Sequence, residues 1–227
     1  MILDKKGIAA LIDQTLLKPD ATGADAMQFC LEAGEYGFAS VCVYPYFVRT
    51  AKELLTGSSV KVCTVIGFPL GTASTNGKID EAVHAVKDGA AELDIVMNPE
   101  VAKAGEWDAV QKEIDEIIAA TPDSVHKVII EACNLTDDEK KRASLAVMEA
   151  GAEFVKTSTG FGSGGATIED VQLIKSVTEG KVGIKAAGGI KTLDDLLSFV
   201  EAGATRIGTS SGVEIIKGVG GVGIIIG

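Results

Sequence analysis

Short apolar runs rich in β-branched residues alternate along this chain with longer stretches in which apolar residues recur at helical period. Eight of the short runs are predicted strands, with centres near Asp13, Val41, Thr64, Asp94, Ile129, Lys156, Lys185 and Ile207. Successive centres lie 22 to 35 residues apart, which leaves room for a loop and an amphipathic helix after each strand. This repetition predicts a (β/α)8 TIM barrel of the α/β class, and an open doubly wound sheet is the alternative.

Signals for helix starts and helix ends lie between the predicted strands. Thr136 and Glu139 have the spacing of a capping box, and Thr167 and Thr192 precede stretches of helical period. Helices are predicted to end near four glycines, Gly34, Gly89, Gly151 and Gly203. These signals favour repeated strand–helix units along the whole chain.

The composition predicts one domain. The 227 residues are 46% hydrophobic and 23% charged, which is enough apolar material for one substantial core. Because no low-complexity linker divides the chain, we expect a single (β/α)8 barrel domain over residues 1–227. A Gly/Ile-rich tail begins at about residue 218, and we expect it either to pack on a neighbour or to fray.

The charge balance is acidic. Twenty-one basic residues against 32 acidic residues give a net charge of −11, which disfavours a nucleic-acid partner. A small anionic substrate is still compatible, because a local nest of backbone amides binds phosphate even in an acidic protein. The first residues lack the apolar stretch of a signal peptide, and no run of about 20 apolar residues is present. We therefore expect no membrane partner and a cytoplasmic location.

Cysteines and histidines do not form a recognisable metal or hydrolase pattern. The four cysteines are widely spaced, at Cys30, Cys42, Cys63 and Cys133. Neither a disulfide framework nor a zinc site is predicted, and buried free thiols are expected. His84 falls in a predicted helix and His126 precedes a strand, so a Ser-His-Asp triad or a His-ligated metal has little support.

Lys156 and Lys185 each end a short apolar run and are followed at once by small residues and glycine. In a barrel of parallel strands, both ammonium groups would lie at the carboxyl-end mouth and point toward the axis. Neighbouring strands are about 4.8 Å apart, so one ammonium disfavours the other and frees a neutral amine for Schiff-base formation. Charge repulsion alone leaves open which lysine is the nucleophile. The alternative interpretation is that both are surface residues at strand ends.

Two acids lie in similar strand-end positions. Asp94, in Glu92-Leu-Asp94, needs a partner or a catalytic task because it interrupts an apolar strand. It is interpreted as a proton relay beside a reactive amine or as a structural salt-bridge partner of one of the lysines. Asp13 is interpreted either in the same way or as a polar residue that satisfies strand-end amides.

Three glycine-rich segments lie at 159–165, 186–190 and 207–212. Tight turns alone would explain any one of them. The second and third follow the seventh and eighth predicted strands, where barrels often bind phosphate through backbone amides. Ser210 and Ser211 could add hydroxyl donors. No Gly-x-x-x-x-Gly-Lys-Ser/Thr loop is present, so no nucleoside triphosphate site is predicted.

Six motifs occur in one order along the chain: IDQTLLK at 12–18, VCVYP at 41–45, VIGFPLG at 65–71, ELD at 92–94, VKTSTGF at 155–161 and GIKAAGG at 183–189. With this ordered set, the chain resembles the deoxyribose-phosphate aldolases from about residue 8 to residue 212. The resemblance implies a class I aldolase on a (β/α)8 barrel, without a metal or an organic cofactor. The implied reaction is reversible cleavage of 2-deoxy-D-ribose 5-phosphate to D-glyceraldehyde 3-phosphate and acetaldehyde, in deoxyribonucleoside catabolism.

The resemblance also implies residue roles. Lys156 would form the Schiff base, Lys185 would be the cation that keeps Lys156 neutral, and Asp94 would shuttle protons. The implied substrate-binding residues are Asp13, Thr15, Gly160, Gly188, Gly189, Gly208, Ser210 and Ser211. The implied partner is a small sugar phosphate, and relatives of this kind are commonly homo-oligomers, either dimers or tetramers.

The sequence departs from these relatives in three places. Phe161 stands where some relatives have a lysine that follows the Thr-Gly pair, which predicts one weaker phosphate contact. Asn98-Pro99-Glu100 stands where many relatives have a small apolar or glycine pair. Some relatives end in a tyrosine proposed to help proton transfer, whereas the last tyrosine here is Tyr46.

Two rival functions are considered. The first is another Schiff-base barrel, such as a transaldolase, which would need a ketose donor instead of acetaldehyde. The second is a barrel that binds a sugar phosphate without turning it over. The presence of Lys156, Lys185 and Asp94 together favours an enzyme.

Overall fold

The computed structural model describes residues 2–220 together with residues 224 and 225. Eight parallel strands follow the order of the sequence around a closed barrel. They are β2 (Ile12–Leu16), β3 (Ser40–Val43), β4 (Lys61–Ile66), β5 (Glu92–Val96), β6 (Val125–Ile129), β7 (Phe154–Lys156), β8 (Gly183–Ala187) and β9 (Arg206–Thr209). The barrel closes through hydrogen bonds between β2 and β9. The (β/α)8 prediction is thus confirmed, and the open doubly wound alternative is wrong.

Helices pack around the barrel. They are α1 (Lys5–Ala9), α2 (Gly23–Tyr36), α3 (Val48–Leu54), α4 (Thr75–Asp88), α5 (Pro99–Lys103), α6 (Trp107–Ala120), α7 (Asp137–Glu149), α8 (Ile168–Thr178), α9 (Leu193–Ala202) and α10 (Gly212–Gly218). In the part of the chain that the structure describes, no helix has both the length and the apolar composition that a bilayer crossing requires.

The predicted helix starts are confirmed. Thr136 and Glu139 form a capping box on α7, and Thr192 forms one on α9. Thr167 caps α8 by accepting a hydrogen bond from the backbone of Asp170. Asn98 caps α5 in the same manner, which gives the Asn98-Pro99-Glu100 departure a structural role, since proline suits the first helical position.

One predicted helix end is wrong. Gly34 lies inside α2, which continues to Tyr36 and ends at Gly37. Gly37 has a φ of 68°, the left-handed conformation that glycine adopts without a steric penalty. The Gly37 N–H also donates a hydrogen bond to the Ala33 carbonyl, which closes the helix at the second of two nearby glycines.

Strand alternation separates two environments. Outward residues such as Val41, Leu93 and Ile184 belong to the main apolar core between the strands and the helices. Inward residues include charged side chains that meet across the barrel: Asp13 on β2 and Asp94 on β5 both contact lysines of distant strands. Burial on both faces explains why these strands are almost continuously apolar. The charged residues that interrupt them point into the barrel.

The described part of the tail pairs with the start of the chain. β1 (Ile2–Leu3) and β10 (Ile224–Ile225) form a two-stranded antiparallel sheet. The tail predicted from about residue 218 also includes 221–223 and 226–227, which lie outside the described residues.

Candidate active site

Lys156 and Lys185 are direct partners in the register between β7 and β8. Their side chains are 3% and 0% exposed, so the interpretation of both as surface residues is wrong. Asp94 lies between the two amines, because its Oδ2 is 2.7 Å from Lys156 Nζ and 2.6 Å from Lys185 Nζ. The register thus brings two cations to the same height and places one carboxylate oxygen against both of them.

A third lysine lies beside this group and was missed by sequence reasoning. Lys127 Nζ is 2.8 Å from Asp94 Oδ1 and 2.7 Å from Glu92 Oε2, and its side chain is fully buried. The sequence contained the pattern that would have identified it: Lys127 is a charged residue within the apolar strand β6, as Asp94 is within β5. The same signal applies to Glu92, which shares a strand face with Asp94.

Asp13 completes the cluster from the opposite wall. Its Oδ2 is 2.5 Å from Lys185 Nζ, and its Oδ1 is 2.6 Å from the Arg206 guanidinium. Ser40 also donates a hydrogen bond to Asp13 Oδ1. Arg206 in turn contacts Glu92 at 3.0 Å. Asp13 therefore lies inside an ion network under the cavity described below.

The network fixes the charges of Asp94 and Lys185. Burial raises the pKa of Asp94, but Lys127, Lys156 and Lys185 outweigh that effect and hold it well below its ordinary value. Burial likewise opposes ionisation of Lys185, yet the carboxylates of Asp13 and Asp94 raise its pKa above the ordinary value. Asp94 is thus a carboxylate and Lys185 an ammonium at neutral pH.

A cavity of about 380 Å³ opens above Lys156 at the carboxyl ends of the strands. Six of the predicted substrate-binding residues line it: Thr15, Gly160, Gly188, Gly189, Gly208 and Ser210. Asp13 and Ser211 are outside that lining. Asp13 is buried in the ion network, and Ser211 directs its backbone N–H to Thr209 Oγ1. The cavity is thus lined by the loops that follow four strands, and Lys156 is the amine at its base.

The rim of the cavity is partly aromatic. Phe161 is 46% exposed and meets Phe68 edge-on at a centroid distance of 5.4 Å. Phe68 meets Tyr44 edge-on at 6.1 Å. Two lysines that were not predicted, Lys18 and Lys191, also line the cavity. An anion in this cavity would therefore have cations near it despite the aromatic residue at position 161.

Two thiol sulfurs and one carboxylate oxygen, all potential metal ligands, lie close together under the cavity. Cys42, Cys63 and Asp94 each offer one, all within 4.8 Å of one another. However, Lys127 Nζ lies 3.2 Å from Cys63 Sγ and 2.8 Å from Asp94 Oδ1, so an ammonium already compensates this carboxylate. A second cation at this point would meet strong repulsion.

The thiol prediction is confirmed for three cysteines, Cys30, Cys42 and Cys63, which are buried. It is wrong for Cys133, which is exposed. The histidines lie away from the cavity. His84 contacts the Asp80 carbonyl at 2.6 Å, and His126 contacts the Thr121 hydroxyl at 2.9 Å.

Comparison with known proteins gives consistent results. The family model described as DeoC/LacD family aldolase matches residues 8–218. The deoxyribose-phosphate aldolase of Caldanaerobacter subterraneus subsp. tengcongensis is 54% identical over 213 residues, which cover 92% of this chain and 92% of that protein. The deoxyribose-phosphate aldolase of Thermococcus gammatolerans is 52% identical over 215 residues, which cover 93% of this chain and 96% of that protein.

A solved structure extends the similarity to three dimensions. The deoxyribose phosphate aldolase of Aeropyrum pernix, described as tetrameric, superimposes with a TM-score of 0.88 at 36% sequence identity. The superposition covers 94% of this chain and 91% of that one.

Proposed function

This chain belongs to the DeoC/LacD family of aldolases, and from that premise we propose that it cleaves 2-deoxy-D-ribose 5-phosphate reversibly to D-glyceraldehyde 3-phosphate and acetaldehyde. The names of its relatives support the substrate. The buried amine at the floor of the cavity supports a Schiff-base mechanism. The proposed setting is deoxyribonucleoside catabolism in the cytoplasm.

The observation that carries this proposal is the arrangement of Lys156, Asp94 and Lys185. Four cationic side chains of the network face three carboxylates, so one positive charge is in excess: Lys127, Lys156, Lys185 and Arg206 against Asp13, Glu92 and Asp94. Lys185 contacts two of these carboxylates and Lys127 contacts all three, whereas Lys156 contacts one. Lys156 thus has the fewest carboxylate partners of the three lysines, which supports its assignment as the nucleophile. Lys156 also borders the cavity.

In the proposed mechanism, the neutral amine of Lys156 attacks the C1 aldehyde of the open-chain sugar. The Asp94 carboxylate takes the proton that the attacking nitrogen loses and passes it to the carbinolamine hydroxyl, which leaves as water. The resulting iminium accepts the electron pair of the C2–C3 bond while the C3 hydroxyl loses its proton, so that D-glyceraldehyde 3-phosphate departs. The remaining enamine takes up a proton at C2, and hydrolysis of the iminium releases acetaldehyde. Asp94 is suited to this task because one carboxylate oxygen touches both amines.

We assign the phosphate end of the substrate to the glycine-lined side of the cavity. Gly160, Gly188, Gly189, Gly208 and Ser210 line this side, and Lys18 and Lys191 supply positive charge. Thr15 lines the same cavity and is assigned to the sugar. For Asp13 we propose an indirect role, because its carboxylate is committed to Lys185 and Arg206.

Assembly into a homo-oligomer is part of the proposal. The tetramer described for the Aeropyrum pernix protein supports it.

Borohydride trapping tests the proposed function. Acetaldehyde with borohydride should add one ethyl group to the intact protein, and peptide mapping should place it on Lys156. Lys156→Ala should prevent the adduct, whereas Lys18→Ala, which changes a cavity lysine outside the network, should retain it. Absence of an adduct from folded wild-type protein would favour a barrel that binds sugar phosphates without turnover. Turnover of ketose donors instead of acetaldehyde would favour a transaldolase.

A further inference from the structure

Glu131, the second residue after β6, has an unusual backbone conformation. Its φ is 48° and its ψ is 63°, the left-handed region that residues with a Cβ rarely adopt. Among the described residues, the only other non-glycine residue with positive φ is Glu179, at the end of α8. Such strain persists where surrounding contacts enforce it, and it is often found at functional sites.

The Glu131 side chain is half-buried and binds the loop that follows β7. Its carboxylate accepts hydrogen bonds from the Thr159 hydroxyl and from the Thr159 backbone N–H, the latter at 3.3 Å. Thr159 Oγ1 in turn accepts the backbone N–H of Phe161 at 3.0 Å. Because the hydroxyl proton is directed to Glu131, the oxygen lone pair is available to Phe161. Glu131 thereby fixes both residues that flank Gly160.

The loop also packs closely on Glu131. A Cβ added at Gly162 would lie 3.1 Å from Glu131 Oε1. At its far end the loop is joined to β8, since the Ala166 N–H is directed to the carbonyls of Ala187 and Gly188. The segment 159–166 is therefore held at two points. Between these points it carries Gly160 and Phe161, which line the cavity.

We propose that Glu131 is a positioning residue for the phosphate end of the substrate. Glu131 lies outside the cavity lining and acts through Thr159, which holds the Gly160 backbone in the conformation that receives the anion. This inference rests on the proposed function for the identity of the anion. A positioning role differs from a purely structural role in one testable respect: loss of the Glu131 carboxylate should weaken phosphate binding but leave the chemistry at Lys156 unchanged.

Kinetics with two sugars tests the proposal. In Glu131→Gly, which removes the carboxylate and relieves the left-handed strain, KM for 2-deoxy-D-ribose 5-phosphate should rise about tenfold or more. Its kcat should change less than about threefold. KM for 2-deoxy-D-ribose, which lacks phosphate, should be unchanged. Glu131→Gln keeps one acceptor oxygen and should give an intermediate KM.

Glu179→Gly is the matched control. It relieves the same backbone conformation at an exposed residue that pairs with Lys181, away from the cavity. It should leave both KM values unchanged. A rise in both KM values in Glu131→Gly, or a fall in kcat with unchanged KM, would overturn the positioning role.

Binding of inorganic phosphate gives a readout without turnover. Its Kd, measured by calorimetry, should rise about tenfold in Glu131→Gly relative to wild type. An unchanged Kd would contradict the inference. If wild-type protein traps acetaldehyde but does not cleave 2-deoxy-D-ribose 5-phosphate, the proposed substrate fails, and the phosphate measurement still decides the role of Glu131.

Discussion

Lys185 Nζ lies 2.5 Å from Asp13 Oδ2, and this ion pair is fully buried under the cavity. Asp94 approaches the same ammonium at 2.6 Å. Two carboxylates on one ammonium keep Lys185 charged, so Lys185 is a permanent cation beside the shared oxygen of Asp94. Lys185 thus has a structural reason to remain protonated, as its proposed role beside Lys156 requires.

Removal of the Asp13 charge should change the pH dependence of the reaction. Burial lowers the pKa of Lys185, and Asp13 and Asp94 together raise it above the ordinary value. In Asp13→Asn, one raising influence is lost, so Lys185 should lose its proton at lower pH. The kcat/KM of Asp13→Asn should therefore begin to fall at lower pH than that of the wild type. An alkaline limb that stays in place would contradict this account of Asp13.

The same substitution should also destabilise the fold. It leaves Arg206 and Lys185 with fewer buried negative partners, and the loss of one member of a buried ion network costs about 3–5 kcal/mol. Urea denaturation at pH 7 measures this change. Arg49→Ala, which breaks an exposed ion pair with Asp88, is the control and should cost less than about 1 kcal/mol.

Lys185→Leu should change the acidic limb of the pH–rate profile. The substitution removes the cation that shares Asp94 Oδ2 with Lys156, and with it the repulsion between two neighbouring ammonium groups on which the proposed mechanism depends. The pH optimum should move upward, and the rate at pH 7 should fall by roughly 100-fold or more. A pH–rate profile with the wild-type optimum would exclude the proposed influence of Lys185 on Lys156.

Lys156→Ala should abolish turnover. The covalent route needs this amine, so kcat should fall by roughly three orders of magnitude or more. Lys112→Ala, at an exposed lysine of α6, is the control and should keep wild-type activity. Far-ultraviolet circular dichroism of both variants establishes that the barrel is folded. Retained turnover in the folded Lys156→Ala protein would show that the lysine assignment is wrong.

Phe161→Lys should strengthen binding of phosphorylated substrate. The side chain at this position is half-exposed at the rim of the cavity, so a lysine there can keep its charge hydrated. KM for 2-deoxy-D-ribose 5-phosphate should fall by about three- to tenfold at low salt, and the gain should shrink as salt screens the charge. Phe161→Met, which is apolar, serves as the control. An equal change in both variants would assign the effect to loss of the Phe68 contact.

Local sequence was sufficient for most of the elements. Short apolar runs and their spacing predicted all eight barrel strands, because strands covered on both faces need nearly continuous apolar residues. The caps at Thr136, Thr167 and Thr192 were also predictable, since capping depends on residues within one helical turn. Lys156, Lys185 and Asp94 were selected as candidates because a charge that ends an apolar strand requires a partner or a task.

Only the tertiary structure decided how these charges pair. Asp94 meets lysines 33, 62 and 91 residues away, and barrel closure brings Asp13 from β2 against Lys185 on β8. The carboxylate of Glu131 reaches Thr159 in the same way, across 28 residues. Local patterns carry propensity and period, but the register and closure of the barrel determine which distant side chains come within hydrogen-bonding distance.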